Sequence, residues 1–163
     1  PVGPLRKEDA IAAIRQPVLS ERASISDEAL EDIFGQTHGY PYFLQEWGHQ
    51  CWKIASGNRI ELADSHAAAK LAIEQLDNGF FKVRFDRLTP KEREYVIAMA
   101  RLGKGPYRSA DVAEKLGESL QSLGPRRSKI INKGMIYSPS HGDIDFTVPL
   151  FNEYLMRSYP EQV

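Results

Sequence analysis

Between Thr89 and Arg157 the chain gives its structural signals in one restrictive order: helix, helix, turn, helix, strand–turn–strand, helix. Each piece is common alone. A strand–turn–strand signal straight after a third helix is not, and the order is the plan of a winged helix-turn-helix. Thr89-Pro90-Lys91-Glu92 opens it as a capping box, with Pro90 at the first helical position. Tyr95, Val96, Met99, Ala100 and Leu102 predict the apolar face of that helix. Gly103-Lys104-Gly105-Pro106 predicts a turn. Ser109 is the predicted cap of a short helix over Ala110–Leu116, which Gly117 stops. The third helix is predicted over Ser122–Lys133, ending at Gly134. Predicted strands Met135–Pro139 and Ile144–Val148 flank the polar turn Ser140-His141-Gly142-Asp143. Pro149–Arg157 predicts a last helix, with Leu150, Phe151, Tyr154 and Leu155 facing inward. Ala113, Leu116, Ile130 and Gly134 fall where the plan needs small or apolar residues.

The first half is helical by the same reasoning. Leu5, Ile11 and Ile14 predict a helix over Leu5–Arg15 that Pro17 stops. Ser26 predicts the N-cap of a second helix, with Asp27 and Glu28 in its first turn and an end near Thr37. Its apolar face is Ala29, Leu30, Ile33 and Phe34. Gly39 supplies unusual backbone angles, and Pro41 begins a third helix with Phe43, Leu44, Trp47, Cys51 and Ile54 at steps of three and four. Gly57 ends that helix, and Ile60–Leu62 is a short extended piece. Asp64 predicts the cap of a long helix through Leu76 that continues past Gly79 into Phe80–Arg87. The expected architecture is therefore mainly α: a helical subdomain over residues 1–77, then a winged helix-turn-helix with a small β-hairpin over 78–163.

Charge follows the same division. The net charge of -1 hides seven Lys/Arg against twelve Asp/Glu in residues 1–77, a net of -5, and a net of +4 in the remainder. Such asymmetry suggests halves with different partners. With 42% apolar residues the chain can bury a core. No apolar run approaches the length that spans a bilayer, so no membrane partner is expected. The first residue is Pro1 and no signal-peptide pattern follows, which is expected of a piece of a longer chain. One cysteine, Cys51, permits no internal disulfide and suggests the cytoplasm.

Catalytic chemistry is absent from the pattern, so the chain is not expected to be an enzyme by itself. No G-x-x-x-x-G-K-[ST] motif occurs, and Gly103-Lys104-Gly105 lacks the strand and the Ser/Thr of a phosphate loop. His38, His49, His66 and His141 show no metal-ligand spacing. Glu46 and His49 form one Glu-x-x-His step, where a di-iron bundle needs two and further carboxylates. No metal is expected. Cys51 sits on an apolar stripe four residues after Trp47 and reads as core. Ser140, His141 and Asp143 have triad residue types without triad geometry.

The third helix of the second half is the informative one. At 100° per residue, Ser122, Arg126, Lys129 and Lys133 lie within about 60° of one another. In a winged helix this is the element that enters the major groove. Lys and Arg there neutralise phosphates, and Arg126 is placed to reach a guanine edge. Gln121 and Ser122, and His141 at the wing, are the expected helpers. Arg127 falls toward the apolar side of the same wheel. The alternative is a solvated face on a winged helix that contacts protein, as an interaction or autoinhibitory module.

Thr37-His38-Gly39-Tyr40-Pro41-Tyr42-Phe43-Leu44-Gln45 resembles the T-G-G-x-P-x-x-L-Q signature in the lid of the AAA/STAND-type ATPases, an archaeal and bacterial family related to origin-recognition ATPases. Gly79–Pro90 and Lys133–Pro139 resemble segments of the same family, so the similarity covers nearly the whole chain. The resemblance implies an ATPase domain, then a helical lid (1–77), then a winged helix (78–163). It implies that Gly39, Tyr40 and Pro41 lie against adenine and help hold ATP, with Mg, in the full-length protein. His38 stands where the signature has its first Gly. On this reading the stretch itself holds no cofactor, and its partners are the N-terminal ATPase domain of the same chain and double-stranded DNA.

Overall fold

The computed structural model describes residues 3–161. The chain is mainly helical and forms two compact units divided between Leu76 and Asp77.

The first unit holds α1 (Lys7–Ser20), β1 (Ser24–Ile25), α2 (Asp27–Thr37), α3 (Pro41–Ile54), β2 (Arg59–Ile60) and α4 (Leu62–Leu76). Ser26 caps α2 by accepting the Ala29 N–H at 3.1 Å. Pro41 occupies the first turn of α3. Ala29, Leu30 and Ile33 of α2 pack inward with Phe43, Trp47 and Cys51 of α3 and Ala68 and Ala72 of α4. Pro17 does not stop α1: the helix runs on to Ser20 and buries Val18. Proline in a final turn forfeits one backbone bond, and burial of Val18 offsets that loss. Asp64 is not the cap of α4 either. The helix starts two residues earlier, and the Asp64 carboxylate reaches back to the Glu61 N–H at 2.8 Å. A strand pairing that periodicity does not reveal joins β1 and β2 in parallel, Ser24 opposite Arg59 and Ile25 opposite Ile60.

The second unit opens with a five-residue π-helical turn, Asp77–Phe81, and continues with α5 (Lys82–Phe85) and α6 (Pro90–Arg101). Both bonds of the capping box are present: Glu92 N–H to Thr89 Oγ1 at 3.3 Å and Thr89 N–H to Glu92 Oε1 at 2.9 Å. Tyr95, Val96, Met99 and Ala100 are buried, whereas Leu102 is exposed beyond the helix end. Then come β3 (Tyr107–Arg108), α7 (Ser109–Leu116), α8 (Leu120–Asn132), β4 (Ile136–Tyr137), β5 (Asp143–Phe146) and α9 (Phe151–Ser158). Gly117 ends α7 in the left-handed region at φ 68°. Ser109 is the first residue of α7 rather than its cap, and its N–H is bonded to Gly142 O at 2.9 Å.

The hairpin β4–β5 pairs Ile136 with Phe146 and Tyr137 with Asp145, both strands shorter than their sequence signals. It gains a third strand, since β3 pairs with β5 in the antiparallel order β3–β5–β4. At the last helix Leu150 is not helical; it is the N-cap of α9 at φ 64°. Phe151, Tyr154 and Leu155 are buried as the periodicity predicts. Phe81 stacks on Tyr154 at 5.2 Å and meets Phe151 edge-on at 5.9 Å. Phe81, Phe85 and Phe151 are at most 2% exposed, and each contributes about 2 kcal/mol by leaving water.

Candidate functional site

The order α6–α7–turn–α8–hairpin makes α8 the presented helix of the second unit. Ser119 caps it, accepting the Ser122 N–H at 3.1 Å. The helix begins at Leu120, two residues before the sequence signal, with Pro125 inside it. Leu123 and Ile130 are buried and define the inward seam. Gln121, Ser122, Pro125, Ser128, Lys129 and Asn132 are all exposed. Gln121, Pro125, Ser128 and Asn132 fall within about 60° on the wheel, opposite the seam. Pro125 also lacks the N–H that would bond the Gln121 carbonyl, so the helix ladder is interrupted on this outward face.

The basic stripe sits on the shoulder between this face and the seam, about 90° from the outward stripe. That position explains what its members do. Arg126 has only 17% of its side chain exposed, and its Nη1 lies 3.2 Å from Glu118 Oε2. Arg127 points toward the seam, with its Nε buried and without a hydrogen-bond acceptor. Burial pushes the phenol pKa of Tyr95 up, and the nearby Arg127 guanidinium opposes the shift. Lys133 Nζ contacts Glu92 Oε1 and donates to Arg87 O at 3.0 Å. Burial raises the Glu92 carboxyl, but the ammonium of Lys133 and the bonds from Thr89 hold it below its ordinary value.

Lys129 is different. It is exposed and has no ion-pair partner among the described residues. Of the residues that the sequence nominates, Gln121, Ser122 and Lys129 share the open part of α8. Ser122 also donates its hydroxyl to Ser119 O at 2.9 Å. His141 is exposed on a separate element, the β4–β5 turn, which Asp143 closes by accepting from Ser140 Oγ at 2.8 Å. Ser128 and Asn132 join the open face. The sequence signal that finds them is the wheel centred on Gln121 and Pro125 rather than on the charges.

In the first unit the turn from Thr37 to Pro41 is tightly built. Thr37 is fully buried and donates to Ile33 O at 2.8 Å. His38 adopts the left-handed region at φ 53°, and Gly39 follows at φ 78°. His38 thus takes, with a side chain, the conformation that glycine adopts without cost. Gly39 O accepts the Leu5 N–H at 2.8 Å, and a Cβ on Gly39 would stand 2.5 Å from Leu5 O. Tyr40 and Pro41 are half-buried, with Tyr40 edge-on to Phe43 at 6.2 Å. The turn therefore offers an aromatic ring and a proline ring beside a backbone that admits no side chain.

A cavity of about 370 Å³ lies elsewhere in this unit, walled by Ile14, Leu44, Cys51, Trp52 and Ile60. Cys51 is fully buried, and desolvation pushes its thiol up to about 12. Glu46 accepts a hydrogen bond from Gln50 at 2.9 Å. Among the described residues no three His, Cys, Asp or Glu are grouped to hold a metal ion. Among them, too, no helix is long and apolar enough to cross a membrane.

A family model described as a domain of unknown function (DUF8462) matches residues 78–155. No curated protein matches the chain. Thirteen solved chains do. One is a mutant of RuvB from Thermotoga maritima, 15% identical, with a TM-score of 0.46, covering 99% of this chain and 51% of that one. The chain spans about half the length of that RuvB chain.

Proposed function

We propose that this chain is the non-catalytic C-terminal region of an ATP-dependent switch protein, and that its winged helix contacts duplex DNA through α8. One observation carries the reading: the outward face of α8 carries no carboxylate and presents amide and hydroxyl side chains, and on the shoulder beside it Lys129 is an exposed ammonium with no ion-pair partner among the described residues. Amide and hydroxyl side chains suit hydrogen bonding to base edges, and Lys129 suits a phosphate. Gln121, Ser122, Ser128 and Asn132 are the reading side chains; Lys129 and the wing at His141 flank them. Arg126 serves once it leaves Glu118.

In the full-length protein the helical unit acts as a lid over ATP and Mg held by the N-terminal ATPase domain. Gly39, Tyr40 and Pro41 then lie beside the adenine. The half-buried rings of Tyr40 and Pro41 support this role. Hydrolysis belongs to the absent domain, and the protein works in the cytoplasm.

Fluorescence anisotropy with a labelled duplex across a salt series tests the DNA reading. Binding that weakens steeply with salt supports it. No binding at low salt removes it. For the lid, Tyr40→Ala in the full-length protein is expected to weaken nucleotide binding, and unchanged affinity removes that part.

A second reading is favoured by the pairing of Arg126 with Glu118 and of Lys133 with Glu92, which leaves the shoulder less basic than its sequence. Leu120 and Tyr137 are also exposed, at 49% and 45%. There the winged helix is a protein-interaction or autoinhibitory module that docks on the ATPase domain or a partner. A pull-down with the separate ATPase domain distinguishes it.

A further inference from the structure

Lys133 stands at the C-cap of α8, just past the last helical residue. Its ammonium reaches away from the open face to the first turn of α6, where Glu92 is the third residue of the helix and closes the capping box. The Glu92 side chain is only 3% exposed. Its Oε1 accepts both the Thr89 N–H, at 2.9 Å, and the Lys133 ammonium. Lys133 spends a second donor on Arg87 O at 3.0 Å. The apolar seam holds α8 at Leu123 and Ile130, and this polar contact adds a third point of attachment at the end of the helix. A helix attached at three points along its length resists rolling on its support. A phosphate that drew Lys133 away would leave a carboxylate buried without its cation, which is strongly unfavourable.

We propose that Lys133 is a positioning residue: through Glu92 it fastens the end of α8 to the first turn of α6, and so sets the angle at which the open face of α8 meets DNA, without itself neutralising a phosphate. The proposal rests on the DNA reading of α8. Lys129, from the same stripe, is the phosphate contact.

The test compares wild type, Lys129→Met, Lys133→Met and the double variant Glu92→Gln/Lys133→Met by duplex anisotropy across a salt series. Circular dichroism corrects each for the folded fraction. Lys129→Met is expected to lower the slope of log affinity against log salt by about 0.9. Lys133→Met is expected to weaken binding at every salt concentration with the slope unchanged. The double variant is expected to stay as weak as Lys133→Met with the slope unchanged, because the fastening is missing in both, although glutamine keeps the capping box. A Lys133→Met slope lowered by about 0.9 makes Lys133 a phosphate ligand, and full recovery in the double variant traces the loss to an unpaired buried carboxylate rather than to lost fastening; either result overturns the proposal. Folded Lys133→Met that binds like wild type makes the pair a stability device only, and also overturns it. If wild type binds no duplex, the DNA reading and the positioning role fall together, and thermal unfolding then judges the fastening alone. Lys133→Met should melt several degrees lower, and adding Glu92→Gln should lower it little further because the contact is already lost; a further drop as large as that of Glu92→Gln alone overturns the fastening.

Discussion

Arg157 grips Asp77 with two parallel hydrogen bonds, Nη2 to Oδ1 at 2.6 Å and Nε to Oδ2 at 3.1 Å, across eighty positions of sequence. The fork ties α9 to the π-helical turn, beside the stack of Phe81 on Tyr154. Bidentate geometry lifts it above an ordinary surface pair. Arg157→Met is expected to lower the stability of the second unit by about 1 kcal/mol. Denaturant titration measures it, and the difference should shrink in high salt because both partners are partly exposed.

The turn at Gly39 is intolerant of any side chain. Its φ of 78° and the approach of Leu5 O act together, so Gly39→Ala is expected to cost about 2–4 kcal/mol. The neighbouring position behaves oppositely. His38 already occupies the left-handed region at φ 53°, and His38→Gly should gain about 0.5–1 kcal/mol. Paired unfolding curves read both signs, and equal effects at the two positions would refute this account of the turn.

Cys51 is fully buried and its thiol is pushed up to about 12 by desolvation, with Asp64 and Asp32 adding to the shift. The thiolate is the reactive form. Labelling with a thiol reagent at about pH 8 is therefore expected to fail on the native chain and reach one equivalent in denaturant. Rapid native labelling would place Cys51 outside the core.

The Glu92 carboxyl is held below its ordinary value of 4.5 by Lys133 and Thr89, against the pull of burial. A lowered folded pKa means its stabilisation is present above the ordinary carboxylate range and is lost as pH falls through the folded value. Glu92→Gln is expected to cost about 2 kcal/mol at neutral pH. The gap in melting temperature between the two proteins should narrow below about pH 4. A gap independent of pH would show that the carboxylate charge contributes nothing.

Much of the fold was legible because its signals act over three or four residues. Ser26, the Thr89–Glu92 box, Pro41 and Gly117 each satisfy or terminate a helix through bonds to close neighbours. The short strands were harder. Two residues are too few for a periodic pattern, and β1 finds β2 only after two helices have packed between them in sequence. Pro17 misled for a related reason, since what carries α1 past it is the burial of Val18.

The candidate site divides in the same way. Helical periodicity alone put Ser122, Arg126, Lys129 and Lys133 on one stripe, and Gly39 alone announced unusual backbone angles just before Tyr40 and Pro41. Local chemistry, acting between neighbours in the chain, determined most of the helices, the caps at Ser26 and Thr89 and the class of the fold, whereas α4, α7, α8 and α9 begin at other residues than their sequence signals name. The tertiary structure decided which cations are free. Lys133 meets Glu92 forty-one positions away, and Arg126 meets Glu118 eight positions away across a turn. A charge written in sequence carries no record of the partner that packing brings to it, so only the folded chain separates Lys129, open to solvent, from Lys133, committed to a buried carboxylate.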